Sequence, residues 1–255
     1  MTNMKTPPLD GRVAVITGAS RGLGKAVAIS LSSAGAKVAL VARDKNALHS
    51  VADHIRTAGG EAEIFQADVT NEEQVQRIER DILSSFGHVN ILVNNAGMNI
   101  RKPLEEFSLD EWESVLAANL TSAFLMCRSF VPHMKGRGYG RILNLTSIMS
   151  HVSLPGRAAY SASKFGLLGL TKALALELAG EGITVVAVSP GPFATEMNSP
   201  LMEDAEINRR FVSKIPVGRW GSPEEVGALV RHLCLPESGF ITGTDILIDG
   251  GWTAQ

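Results

Sequence analysis

Hydrophobic positions along the chain gather into short β-branched runs separated by longer stretches with helical spacing. The runs Val13–Thr17, Lys37–Ala42, Glu63–Ala67, Ile91–Asn94, Arg141–Thr146, Thr184–Ser189 and Asp245–Ile248 read as strands. They are mostly continuous rather than alternating in polarity, as parallel strands covered on both faces require. From Glu72 to Phe86, residues Val75, Ile78, Ile82, Leu83 and Phe86 keep helical spacing. Three helix starts carry a capping-box pattern: Thr70 with Glu73, Ser108 with Glu111, and Ser222 with Glu225. Pro223 takes the first helical position of the last. This alternation predicts an α/β fold: a doubly wound parallel sheet of about seven strands with helices on both faces, one domain over residues 1–255. Such sheets bind ligands beyond the carboxyl ends of their strands, where the strand order reverses.

Composition narrows the classes. With 255 residues, 45% of them hydrophobic, the chain can bury one sizeable core. A formal net charge of -2 gives no reason to expect nucleic acid or an anionic membrane as a partner. The first ten residues are polar, include Pro7-Pro8 and lack the apolar run of a signal peptide. The apolar stretches read as strand-length and interrupted, so no bilayer span is expected. Cys127 and Cys234 lie far apart, and neither CxxC nor HExxH occurs. A metal site or disulfide framework is therefore not expected, and a reducing cytoplasm suits the chain.

The first strand runs into Thr17-Gly18-Ala19-Ser20-Arg21-Gly22-Leu23-Gly24, followed by a helix from about Lys25 to Ala34. Glycines at Gly18, Gly22 and Gly24 permit a tight turn and close approach of backbone to phosphate. The helix amino terminus adds unpaired N–H groups for a pyrophosphate. The second strand ends Ala42-Arg43-Asp44. An acid near that point would favour NAD(H), through the adenosine ribose hydroxyls. Arg21 and Arg43 instead favour NADP(H), since two guanidinium groups can clamp a 2′-phosphate. Asp44 keeps NAD(H) open as the alternative.

Tyr160 and Lys164 stand one turn apart at the start of a long helix that runs to about Ala179. Residues at i and i+4 share a helix face. An ammonium beside a phenol is expected to draw its pKa down from about 10 towards neutrality, which suits proton transfer at a carbonyl oxygen. Alone, the pair could be a surface contact. Ser147, just past the fifth strand, could hydrogen-bond the same oxygen or merely cap a turn. Asn119, an amide in the apolar helical run Ala118-Asn119-Leu120, needs a partner: a structural one, or a water linking Lys164 to solvent.

Taken together these elements resemble the short-chain dehydrogenase/reductase family over roughly residues 10–252. The elements appear in order: TGASRGLG at 17–24, Asp68-Val69, NNAG at 94–97, Asn119, Ser147, YSASK at 160–164, Pro190-Gly191 and Thr195. The resemblance implies a Rossmann-type fold and a metal-free interconversion of a ketone and a secondary alcohol. Tyr160 would be the acid/base. Lys164 would tune it and hold the nicotinamide ribose, Ser147 would orient the carbonyl, and Asn119 would anchor the relay water. Asp68 and Val69 would contact the adenine end. Asn95, Ala96 and Gly97 would line the cofactor cleft, and Pro190, Gly191, Phe193 and Thr195 would hold the carboxamide. A homotetramer is implied as well, built on the last strand and on the helices starting near Ser108 and Tyr160.

The segment 193–216 reads as a substrate lid. Arg101, Lys102, His151 and Arg157 make a cationic rim that would suit an acidic substrate, although each taken singly could be solvated charge. The layout resembles 3-oxoacyl-[acyl carrier protein] reductases. The stretch 98–104 and the ending Asp249-Gly250-Gly251-Trp252-Thr253-Ala254 are more similar to gluconate 5-dehydrogenases. A non-catalytic dinucleotide sensor on the same fold is the contrasting reading, and it would not need Asn119, Ser147, Tyr160 and Lys164 together.

Overall fold

In the computed structural model, which describes residues 6–254, seven strands join one sheet. They are β1 (Val13–Thr17), β2 (Lys37–Ala42), β3 (Ala62–Gln66), β4 (Ile91–Asn94), β5 (Gly140–Leu145), β6 (Ile183–Pro190) and β7 (Asp245–Ile248). Every pairing is parallel, in the order β3-β2-β1-β4-β5-β6-β7. Each β1 residue is buried, Ala14 and Ile16 in one core and Val13 and Val15 in the other. This two-sided burial explains the continuous apolar runs.

The helices are α1 (Gly22–Ser33), α2 (Lys45–Thr57), α3 (Glu72–Phe86), α4 (Leu109–Leu116), α5 (Ser122–Met134), α6 (Ala158–Leu178), α7 (Ser199–Glu203), α8 (Ala205–Val212) and α9 (Pro223–Cys234). Leu31 of α1, Leu48 of α2 and Val230 of α9 cover one face of the sheet; Ile78 of α3, Phe130 of α5 and Leu178 of α6 cover the other. The order reverses between β1 and β4, and the chain leaves both strands at the same sheet end.

Several local expectations change. Helix α1 begins at Gly22, three residues before Lys25. Thr70 does not cap α3: its hydroxyl is taken by Asp68 Oδ1 at 2.7 Å, and Asn71 caps instead, accepting from Gln74 N at 3.0 Å. The boxes at Ser108/Glu111 and Ser222/Glu225 form. A continuous helical run from Leu109 to Met134 replaces the expected strand-length apolar stretches; by length and apolarity it could cross a membrane. Half of its most apolar window is buried within the fold, where Met126 and Phe130 are fully enclosed.

Candidate active site

The glycine loop closes on the strand ends through hydrogen bonds that the sequence did not advertise. Thr17 Oγ1 accepts from Asn95 N and Ala96 N, each at 3.0 Å, and lies 3.3 Å from Val93 O. Asn95 Nδ2 donates back to Thr17 O at 2.9 Å and Gly18 O at 3.2 Å. The two segments are thereby pinned at the switch point. Gly18 (φ +64°) and Gly22 (φ +53°) take left-handed conformations that side-chain-bearing residues rarely adopt. A Cβ on Gly24 would lie 2.3 Å from Gly18 O. No side chain caps α1, so its first N–H groups stay available to an anion. Leu23 packs partly buried on the core behind the loop, and Ser20 is partly buried within it. This backbone cradle fits a dinucleotide pyrophosphate.

At the end of β2, Asp44 is the cap of α2, its carboxylate accepting from Ala47 N at 3.0 Å. Arg43 and Arg21 are exposed, and neither guanidinium has a partner among the described residues. The acid that kept NAD(H) open is thus committed to a helix end, while both cations remain available. Asp68 is partly buried and turns its carboxylate onto Thr70, with Val69 buried beside it.

Helix α6 presents Tyr160 in its first turn. Burial raises the Tyr160 pKa; a hydrogen bond with Ser147 and the charges of Arg157 and Arg101 oppose that rise. This corrects the expected downward pull by Lys164. The Lys164 ammonium is itself buried and donates to Leu145 O at 2.6 Å, with Nζ 5.6 Å from the Tyr160 ring centroid. Burial lowers the Lys164 pKa to about 8. Ser147 opens a one-turn 3-10 helix, its Oγ accepting from Met149 N at 3.1 Å. The Ser189 hydroxyl lies 3.0 Å from Ser147 O and 2.7 Å from Asp245 Oδ2, and Asp245 also pairs with His151 at 2.6 Å.

Asn119 lies in a π-turn, Ala117–Thr121, between α4 and α5. Such wide turns recur at functional sites because they redirect a side chain out of the helical ladder. Its Oδ1 accepts from Met98 N at 2.7 Å, and its Nδ2 donates to Met98 O and Ser163 Oγ, each at 2.9 Å. Ser163 in turn donates to Tyr160 O at 2.7 Å. A Cβ on Gly97 would sit 2.7 Å from Asn119 Oδ1 and 3.8 Å from Lys164 Nζ. Asn119, Gly97 and Lys164 therefore meet at one point. A second polar line runs beneath, from Asn94 to Asn144 and on to Thr171, each step 2.8 Å.

After β6, Gly191 N donates to Ile248 O at 2.9 Å, and a Cβ on Gly191 would reach Asp249 at 2.7 Å. Phe193 does not turn its side chain to the cleft: it is buried, its ring packed on Gly221. The Phe193 carbonyl accepts from Asn198 Nδ2 at 3.0 Å, and Pro190 is buried at the end of β6. Thr195 crosses over the glycine loop, its methyl 3.6 Å from where a Cβ on Gly22 would stand. Further along, a cavity of about 320 Å³ lies between Leu154, Pro155 and α8, floored by Phe211 and Trp252. Tyr160, Ser147, Lys164 and Asn119 thus converge beside a dinucleotide cradle, an arrangement able to pass a proton to or from a bound oxygen.

Comparison with known proteins agrees in extent. A family model described as enoyl-(acyl carrier protein) reductase matches residues 18–253. The chain is 41% identical over 245 residues to a 3-oxoacyl-[acyl-carrier-protein] reductase of Synechocystis sp., covering 95% of this chain and 97% of that one. It is 36% identical to gluconate 5-dehydrogenase of Gluconobacter oxydans, covering 97% and 96%. A gluconate 5-dehydrogenase from Burkholderia cenocepacia, solved in complex with NADP and tartrate, superposes with a TM-score of 0.93 at 34% identity, covering 98% of each chain.

Proposed function

The chain belongs to the short-chain dehydrogenase/reductase family, and from that premise we propose that it interconverts a ketone and a secondary alcohol with NADP(H). The observation that carries this reading is the placement of Tyr160 with Ser147, Lys164 and Asn119 beside the glycine cradle. When bound, the nicotinamide supplies or accepts the hydride. Gly18, Ser20, Gly22, Leu23 and Gly24 would hold its pyrophosphate, Arg21 and Arg43 the 2′-phosphate, and Asp68 and Val69 the adenine end. Asn95, Ala96, Gly97, Pro190, Gly191, Phe193 and Thr195 would border the nicotinamide side.

The chain's own residues manage the proton. A phenol is protonated near neutral pH, burial raises the Tyr160 pKa further, and the group stands loaded to donate to a carbonyl oxygen. The Ser147 hydroxyl, already a partner of that phenol, holds the same oxygen. As the phenolate forms, the Lys164 ammonium offers compensating charge. Asn119 ties Met98 to Ser163, which fixes the first turn of α6 and hence Tyr160. The three residues between Tyr160 and Lys164 favour carbonyl over enoyl reduction. The substrate classes that the relatives suggest are a keto-sugar acid and a 3-oxoacyl thioester.

The segment 193–216, carrying α7 and α8, is the substrate lid in this single-domain reading. Exposed Phe165 and Leu176 on α6, with Leu247 on the edge strand and Phe240 beside it, support assembly as a homotetramer. Both cysteines are buried thiols, which suits the cytoplasm. The test is loss of nicotinamide absorbance with NADPH against keto acids, 3-oxoacyl thioesters and simple ketones. Turnover of at least one carbonyl class is expected. Tight NADPH binding without turnover of any would favour the sensor instead.

A further inference from the structure

Arg101, Lys102, His151 and Arg157 lie on two segments that meet near the start of α6, and the structure divides them. Lys102 is paired with Glu111 and His151 with Asp245. Arg101 and Arg157 form no ion pair among the described residues. Their segments meet: a Cβ on Gly156 would lie 3.5 Å from the Lys102 backbone. Arg157 is the cap residue of α6, so its side chain leaves the chain just before Tyr160. The Arg101 guanidinium is held at 3.1 Å by Asn198 Oδ1, from the segment that follows β6. Both charges act on Tyr160. Burial, then the like charge of Arg101, pushes Arg157 down to about 10. Arg157 is partly buried and Arg101 stands at the surface beside it, and holding like charges near each other without a counter-ion is unfavourable. A fold keeps such an arrangement where a ligand completes it.

We propose that Arg101 and Arg157 form a carboxylate subsite beside Tyr160, so that the substrate is a small keto acid or hydroxy acid. This rests on the carbonyl–alcohol reading above and narrows it. The carboxylate would lie between the two guanidinium groups, each offering parallel N–H donors. Asn198 couples the subsite to the segment carrying α7 and α8. A 3-oxoacyl thioester brings no anion to that point and would cover the pair without neutralising it.

The experiment compares four- to six-carbon hydroxy acids with their primary amides, with 3-oxobutanoyl thioester and with a sugar phosphate. It uses the wild-type protein and the Arg101→Gln, Arg157→Gln and Arg157→Lys variants. Tartrate, as a simple carboxylate probe, is titrated calorimetrically against each protein. The wild type is expected to prefer acid over amide by roughly 30-fold or more in kcat/KM, the scale of charged hydrogen bonds. That preference should collapse in either Gln variant and return in part in Arg157→Lys, with tartrate binding following the same order. Amides served as well as acids, a preference confined to the phosphate, or tartrate binding untouched by both Gln variants would overturn the proposal. If no alcohol or carbonyl is turned over at all, the oxidoreductase reading fails, and the tartrate titration still decides the subsite.

Discussion

Replacing Lys164 by Met removes the ammonium while keeping a side chain of similar reach. Lys164 is 4% exposed, and burial lowers its pKa from 10.5 to about 8. A folded-state pKa below the unfolded one means that the folded chain holds this proton less tightly. The resulting penalty is fully present below about pH 8, shrinks as pH rises, and is gone above 10.5. A shift of that size corresponds to about 3 kcal/mol at pH 7. The variant also loses the bond to Leu145 O, at a cost of about 1–2 kcal/mol at every pH. The Met variant should therefore be more stable than wild type by about 1–2 kcal/mol at pH 7 and less stable by a similar amount near pH 10.5. Urea unfolding of both proteins across pH 7 to 10, followed by circular dichroism, reads the difference while the remaining ionisations cancel. A difference that stays flat over that range would refute the reasoning, because it would mean that the buried ammonium is not under strain. Turnover should be lost in the same variant despite its stability.

Gly24→Ala places a methyl 2.3 Å from Gly18 O and 2.4 Å from Asn95 Nδ2, and the Asn95 amide is already tied to Thr17 and Gly18. The loop must open, costing about 1–3 kcal/mol, read as a lower urea midpoint together with weaker NADPH binding by fluorescence titration. Arg43→Ala removes one guanidinium that has no internal partner, so KM for NADPH should rise about tenfold while KM for NADH stays within about twofold, measured by steady-state kinetics.

The sheet was legible because β1, β2, β4, β5 and β6 are buried on both faces, and two-sided burial writes itself into a sequence as unbroken apolar runs. The proton-transfer candidates were legible because Tyr160 and Lys164 share a helix face and the glycine loop has its own spacing. Competition between neighbours was not legible. Nothing local says that Asp68 takes the Thr70 hydroxyl and leaves the cap of α3 to Asn71, or that Asp44 is spent on α2. The Phe193 ring packs on Gly221 rather than on the cleft, a parallel pairing of distant segments that spacing does not encode. The direction of the Tyr160 shift depends on how deeply the phenol sits, which only the packed fold determines. Thr17, the hub joining the glycine loop to Asn95 and Ala96, passed as the last residue of a strand.

Turnover by Tyr160→Phe addresses the central claim most directly. The substitution removes one hydroxyl from α6 and leaves the glycine cradle untouched. With NADPH and the best carbonyl substrate, kcat should fall by about a thousandfold or more, while NADPH affinity, read by fluorescence titration, stays within about threefold. Retention of a tenth or more of wild-type turnover in that variant would contradict the assignment of Tyr160 as the group that moves the proton.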